Sequence, residues 1–214
     1  MSTPVVTRWW WIRHAPVVGT HGKVYGQMDV DCDVSDVASF KALAQRVPDG
    51  ALWITTPLSR TQRTARAIGE QIKAAGRPQP PAFTVEPAFL EQSFGEWQGR
   101  TYREIGAYGQ SPEAHRFWLA PAVATPPGGE SFESVVDRVG ARLSVLSREH
   151  AGRDVVVVSH GGAIRAAVAH AIGLHPENAL ALSIDTLSLT RLDHIEGPGK
   201  GHNWRLGLMN WPAP

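Results

Sequence analysis

Three short apolar runs divide this chain, and each ends in polar or turn-forming residues. Residues 8–13 contain Trp9-Trp10-Trp11-Ile12, residues 51–55 read Ala-Leu-Trp-Ile-Thr, and residues 154–159 contain Val155 to Val158. Runs this short, bounded by turn signals and rich in β-branched or aromatic side chains, predict strands buried on both faces. Between them the apolar spacing becomes helical. Val37, Phe40, Leu43, Ala44 and Val47 predict a helix over 36–46, before Pro48. A longer helix is expected over 59–75, capped by Ser59 and stopped by Gly76. Phe132, Val135, Val136, Val139, Leu143 and Leu146 predict another over 131–148, and an Ala-rich buried helix is expected over 162–172. Two further strands, roughly 181–192 and 203–209, are expected on either side of the Gly- and Pro-rich turn at 196–201.

Strands alternating with helices predict an α/β protein built on a layered sheet. No repeat and no low-complexity linker interrupts the chain, so residues 1–214 are read as one domain. The stretch 76–81 holds three prolines and reads as a loop. Residues 97–129 are polar, with Gly and Pro at both ends and a candidate helix at 111–119. They are read as an insertion over one edge of the sheet, a cap, rather than a second domain.

Composition narrows the function classes. At 214 residues and 43% apolar content, the chain can bury a substantial core. The formal charge of +1, from 21 basic and 20 acidic side chains, gives no broad field for nucleic acid or an anionic membrane. Any basic site must be local. Cys32 is the single cysteine, so no intrachain disulfide can form, which is compatible with a reducing compartment. No secretory leader or run of ~18 apolar residues is read, so the expectation is a cytoplasmic protein with no membrane partner.

The candidate chemistry lies at the strand ends. Arg13-His14 follows the tryptophan run, Thr55-Thr56-Pro57-Leu58-Ser59-Arg60 follows the second strand, and Ser159-His160-Gly161-Gly162 follows the valine run. In a parallel sheet these junctions gather on one edge, where α/β proteins bind ligands. Arginine forks match phosphate oxygens and stay charged. Gly161 and Gly162 let backbone approach an anion at a helix N-terminus. A neutral imidazole can attack phosphorus, and nearby arginines disfavour its protonation. Glu91, in the loop Leu90-Glu91-Gln92-Ser93-Phe94-Gly95, is the candidate proton donor. The other seven histidines have no ligand-like spacing, so no metal and no cofactor are expected. Ser159 lacks the Gly-x-Ser-x-Gly elbow of serine hydrolases, and no Walker-type P-loop is present.

Each motif alone is ordinary. Together and in order they resemble the histidine phosphatase superfamily, the phosphoglycerate-mutase-like fold, in its branch of small single-domain phosphatases. Arg13-His14 resembles the family's opening motif, with His14 in the place of the phosphorylated histidine. Pro57-Leu58-Ser59-Arg60 with Thr64-Ala65, Leu90-Glu91-x-x-Phe94-Gly95-x-Trp97-x-Gly99 and Ser159-His160-Gly161-Gly162 resemble the three later motifs. Gly128-Gly129-Glu130-Ser131 resembles a further family turn, and Tyr25-Gly26-x-x-Asp29 resembles an aromatic-x-Gly stretch loosely. The resemblance implies a three-layer α/β/α sandwich with one mostly parallel sheet. It also implies metal-independent hydrolysis of a small phosphorylated metabolite through a phosphohistidine. Arg13, Arg60 and His160 would then hold the phosphoryl group, with Gly161, Tyr25 and Gly26 as further binding residues and Glu91 as acid. A monomer or homodimer is expected.

Two departures stand out. Ala15-Pro16 replaces the usual glycine, and the mutases' asparagine after the histidine has no match. No extra cation stands out to hold a carboxylate. A mutase that returns the phosphate to a sugar acid is therefore the second reading, and a non-catalytic phosphate-binding module is the third. Family members act on sugar phosphates, phosphoserine, nucleotide-loop phosphates or phosphoproteins, and the sequence does not choose among them.

Overall fold

The alternation of side chains along the tryptophan run sets the layout of the molecule. In the computed structural model, which describes residues 4–107, 121–197 and 203–212, the elements run β1 (Val5–Arg13), α1 (Val37–Arg46), β2 (Leu52–Thr55), α2 (Ser59–Ala74) and β3 (Thr84–Val85). Two single 3-10 turns follow at Pro87–Phe89 and Gly95–Trp97, then α3 (Tyr102–Ala107) and α4 (Phe132–Glu149). The chain ends with β4 (Asp154–Ser159), α5 (Gly161–Ile172), α6 (Pro176–Ala179), β5 (Leu189–Glu196) and β6 (Trp204–Trp211). The candidate helix at 111–119 and most of the turn at 196–201 lie outside the described residues.

Successive side chains of a strand point to opposite faces. Trp9 and Trp11 therefore pack with Val155 and Val157 on one face, while Ile12 packs with Val156 and Val158 on the other. A sheet buried on both faces needs a helical layer on each. Phe40 and Leu43 of α1 and Ile68 and Ile72 of α2 cover the Ile12 face. Val135, Val139 and Leu143 of α4, with Ile164 and Val168 of α5, cover the tryptophan face. Each such side chain contributes about 1.5–3 kcal/mol on full burial. The result is the three-layer α/β/α sandwich.

The sheet order is β3-β2-β4-β1-β5-β6. The first four strands are parallel, and β5 and β6 add antiparallel neighbours beyond β1. The connection from β1 to β2 skips the slot that β4 later fills, so the carboxyl ends of β1, β2 and β4 open on one edge. Arg13 pairs in register with Ser159, and the His14 N–H donates to the Ser159 carbonyl at 2.9 Å. The next residues, His14 and His160, thus leave the sheet side by side.

Two local readings of the sequence need correction. Ser59 does not cap α2; it is the first helical residue, and the remote Asp29 carboxylate accepts from its N–H at 2.8 Å and its hydroxyl at 2.7 Å. A carboxylate there answers free N–H groups and the positive end of the helix dipole. The strand expected over 181–192 begins only at Leu189. Residues 181–188 form turns instead, because the Leu182 and Ile184 carbonyls accept from arginine side chains rather than from a neighbouring strand. The described start of the insertion folds inward: Trp97 and Ile105 bury against Val24, and the 24 and 99–100 backbones exchange hydrogen bonds. This start lies against the loop after β1.

Candidate active site

The site begins with the residue after β1. His14 is 1% exposed, and its Nδ1 lies 2.7 Å from the Ala15 carbonyl oxygen. A carbonyl only accepts, so Nδ1 carries the ring proton and Nε2 keeps its lone pair. Nε2 has no partner among the described residues. Pro16 limits how far this contact can shift. Proline restricts the residue before it to extended backbone, which limits where the Ala15 carbonyl can point. Ala15 is further tied down by its N–H, which donates to the Thr64 hydroxyl at 2.9 Å, while that hydroxyl donates to the Arg60 carbonyl at 2.7 Å. Thr64 therefore couples the loop after β1 to the first turns of α2.

Arg60 is fully buried. It donates to the Met28 and Gly26 carbonyls, each at 2.7 Å, and its guanidinium lies 5.2 Å from the Tyr25 ring centroid. Tyr25 and Gly26 thus touch Arg60 itself. Gly26 has φ +43°, and a Cβ there would stand 2.4 Å from Gln98 Oε1. The Arg60 Nε is buried without a partner. Arg13 reaches the Ile184 carbonyl through one terminal nitrogen, and its Nε is likewise buried and unpartnered.

His160 is also fully buried, and its ring centroid is 5.2 Å from that of His14. Its Nε2 lies 3.0 Å from the Thr56 hydroxyl, and Nδ1 has no partner. When Thr56 donates to Nε2, the ring proton sits on Nδ1 and can be given to an anion. Burial, together with the Arg60 and Arg13 charges, lowers the His14 pKa from 6.5 to about 3. Burial also holds His160 well below the usual histidine range, with His14 and Arg60 adding to it. Both imidazoles are neutral at physiological pH.

This predicts a specific acid lability. In the unfolded chain each histidine binds a proton near pH 6.5; in the fold His14 does so only near pH 3. The unfolded state then holds more protons, so stability falls as pH drops through this window and levels off below it. The loss is at most about 1.4 kcal/mol per pH unit for each such histidine. Urea midpoints measured from pH 7 to pH 4 should decline less steeply for His14→Asn than for the parent. Equal slopes would show that His14 is not held neutral.

Glu91 comes to the same edge from the other side. Its carboxylate accepts from the Gly162 N–H, with oxygens at 3.1 and 3.3 Å, and from the Gln92 N–H at 2.9 Å. A Cβ on Gly162 would stand 2.2 Å from Glu91 Oε1, so the approach requires glycine. The group facing Gly162 is therefore the protein's own Glu91 carboxyl, while Gly161 faces Arg13. The Glu91 backbone is clamped as well: its carbonyl accepts from Arg138 at 3.0 Å and from Gln27 at 2.9 Å. Arg138 is ion-paired to Glu130 at 2.8 Å, and Glu130 also accepts from the Ser93 N–H at 2.9 Å. The Gly-Gly-Glu-Ser turn makes this clamp possible, because a Cβ on Gly129 would meet the Ser93 carbonyl at 2.5 Å. Ser159 is spent on structure, donating to the Phe89 carbonyl at 2.7 Å.

The structure thus gathers Arg13, His14, Arg60, Glu91, His160 and Gly161 on one edge, with Tyr25 and Gly26 behind Arg60. One charged residue here carried no signal in the motif reading. Arg165 stands one helical turn beyond Gly161 on α5, and helical side chains lean toward the N-terminus, back over the preceding turn. Its Nη1 comes within 3.5 Å of the point where a Gly161 Cβ would stand, as does the Arg13 Nε. The sequence signal was a lone arginine in an otherwise Ala-rich helix.

Comparison with known proteins agrees with this geometry. The family model of the histidine phosphatase superfamily (branch 1) matches residues 9–209. Glucosyl-3-phosphoglycerate phosphatase of Mycolicibacterium vanbaalenii is 31% identical, over 94% of this chain and 93% of its own length. A 2,3-bisphosphoglycerate-dependent phosphoglycerate mutase of Methylobacterium is 30% identical over 75% of this chain and 78% of its own. The native structure of a mycobacterial glucosyl-3-phosphoglycerate phosphatase superposes with a TM-score of 0.77 at 26% identity, covering 96% of this chain and 99% of that one. The chain belongs to the histidine phosphatase superfamily, in branch 1, and is a phosphatase of that type.

Proposed function

We propose that this phosphatase hydrolyses a small phosphate monoester through a phosphohistidine on His14, without a metal. The observation that carries the reading is the state of His14: neutral, pinned through Nδ1, with a free Nε2 beside two cations and a second histidine. Nε2 attacks phosphorus and forms the P–N bond while the ester P–O bond breaks. Glu91, entering the step as the carboxylic acid, gives its proton to the leaving oxygen. Arg13, Arg60, the His160 Nδ1–H and the Gly161 turn hold the phosphoryl oxygens and answer the charge that develops on them. Glu91, now a carboxylate, takes a proton from water as the water oxygen attacks phosphorus. The P–N bond breaks, inorganic phosphate leaves, and His14 and Glu91 return to their starting states. Tyr25 and Gly26 serve by holding Arg60.

We also assign the insertion at 97–129 to substrate choice, since its described start walls the loop that carries Arg60's acceptors. Glucosyl-3-phosphoglycerate is the first ester to test. No helix among the described residues is long and apolar enough to cross a membrane. We place the enzyme in the cytoplasm, where the free, buried Cys32 thiol stays reduced, and expect it to act as a monomer or homodimer.

Rapid mixing with an aryl phosphate, followed by acid and by base quenching, tests the route. A phosphoenzyme that is labile in acid and stable in base supports the histidine intermediate; turnover with no such species overturns it. A mutase would instead interconvert phosphoglycerates, and a binding module would saturate without turnover. Activity should survive EDTA, and vanadate should inhibit by occupying the oxyanion site. Loss on chelation with recovery on one added divalent metal would overturn the arginine-based account.

A further inference from the structure

We infer that Asn210, on a bulge of the last strand β6, is a positioning residue for the Arg13 guanidinium and acts through the Ile184–Asp185 peptide. The inference rests on the reading above that Arg13 holds the phosphoryl group.

One short segment holds Arg13 by backbone and side chain together. The Arg13 N–H donates to the Ser188 carbonyl at 3.3 Å, and the Arg13 carbonyl accepts from the Leu187 N–H at 3.0 Å. The guanidinium donates to the Ile184 carbonyl at 2.5 Å, its one acceptor among the described residues. Its aim therefore follows the orientation of that carbonyl. Residues 185–188 form a tight turn, in which the Ser188 N–H donates to the Asp185 carbonyl at 3.1 Å. The third residue of the turn has positive φ, a place that favours glycine, yet it is Leu187, at φ +59° and 4% exposed. A bulky residue persists in that region only where its surroundings hold it, and such places gather at functional sites.

Strand β6 supplies a hold from the far side. Between the pairs Leu189–Trp211 and Arg191–Leu208, β5 has only Thr190, while β6 has both Met209 and Asn210. The extra residue makes a bulge, a device that re-aims a side chain. Asn210 has φ +47°, which asparagine tolerates better than most residues, and its N–H donates to the Thr190 hydroxyl at 3.1 Å. Its side chain turns to Asp185. The Oδ1 accepts from the Asp185 N–H at 2.7 Å, and the Nδ2 donates to the Asp185 carboxylate at 2.9 Å. The Asp185 N–H and the Ile184 C=O belong to one planar peptide unit. Asn210 grips one side of that plane and Arg13 hangs from the other, so the bulge fixes the direction of Arg13's acceptor. Hydrogen bonds on both sides of a peptide also polarise it, which strengthens each. Asparagine is suited to the place because it carries an acceptor and a donor together.

The test removes the donor and then restores it from the other side. Asn210→Asp keeps the acceptor, loses the donor and sets one carboxylate against another. It should lower kcat/KM for p-nitrophenyl phosphate roughly 3–10-fold, the scale of one hydrogen bond, and weaken calorimetric vanadate binding by a similar factor. The swap Asp185→Asn with Asn210→Asp returns a donor and an acceptor at unchanged net charge, and should recover most of both losses. In an Arg13→Ala background, Asn210→Asp should lower kcat/KM no further, because its effect runs through Arg13. Urea midpoints measured alongside show that each variant is folded. A general weakening of the fold would not vanish when Arg13 is removed. If Asn210→Asp leaves both readouts at the parent level, acts equally with and without Arg13, or is not recovered by the swap, the inference is overturned. The phosphohydrolase reading then stands on the parent's turnover of the aryl phosphate. If vanadate binding falls with Asn210→Asp and recovers in the swap, but the parent turns over no ester, the positioning role stands and the hydrolase reading fails.

Discussion

Replacing His14 with alanine should lower kcat on any phosphate monoester by about 1,000-fold or more, since loss of a nucleophile closes the covalent route. The expectation draws on three features of its setting. The ring is pinned through Nδ1, its Nε2 is free, and burial with two neighbouring cations keeps it unprotonated. A catalytic imidazole that had to lose a proton first would show an acid limb near pH 6.5; this one should not. The variant should also stay folded, because removing a buried imidazole leaves a small cavity but no unpaired charge. Circular dichroism and the urea midpoint would check that. No phosphoenzyme should form on either quench. Retention of more than a tenth of the parent kcat, with the fold intact, would show that His14 is not the nucleophile.

How much of this was legible in the sequence depended on whether the decisive contact was local. The three buried strands were readable because burial on both faces leaves unbroken apolar runs, and Trp9–Trp11 and Val155–Val158 are such runs. Their order in the sheet was not, since nothing in a valine run states that β4 lies between β1 and β2. The caps of α1 and α4 are Asp36 and Ser131, adjacent to the helices they serve. The cap of α2 is Asp29, thirty residues away, so Ser59 looked like the cap and was not.

Residues 181–188 misled for a related reason. Leu180, Leu182 and Ile184 alternate as a strand would, but strand identity also requires a backbone partner. Here the Leu182 and Ile184 carbonyls go to Arg165 and Arg13. Glu130 was readable only as part of a turn, because its clamp on the Glu91 loop runs through Arg138 on another element. The candidate site was most legible where strand ends carry it, at Arg13, His14, Arg60 and His160. It was least legible at Arg165, which depends on the lean of helical side chains and on where α5 starts.

The sharpest remaining contrast is between Glu91 and Arg60, because they are proposed to act on opposite ends of the same bond. A general acid matters most when the leaving oxygen is a poor leaving group. Arg60 holds the transferred phosphoryl, which all substrates share. Glu91→Gln should therefore slow phosphoenzyme formation strongly with an alkyl phosphate and far less with p-nitrophenyl phosphate, whose phenolate leaves without a proton. Arg60→Ala should cost roughly 100-fold or more with both, as loss of an electrostatic clamp does. Glutamine is the right probe, since its side-chain oxygen can still accept from the Gly162 and Gln92 N–H groups that position Glu91. Arg60 also ties down the Met28 and Gly26 carbonyls, so Arg60→Lys should accompany the alanine variant to separate lost charge from a loosened loop. The first step must be measured directly, because Glu91 is also proposed as the base for dephosphorylation and that step can mask the contrast in kcat. Equal slowing of phosphoenzyme formation for both esters in Glu91→Gln would remove Glu91 as the proton donor. The search would then move to Glu96, Glu130 or a residue of the insertion.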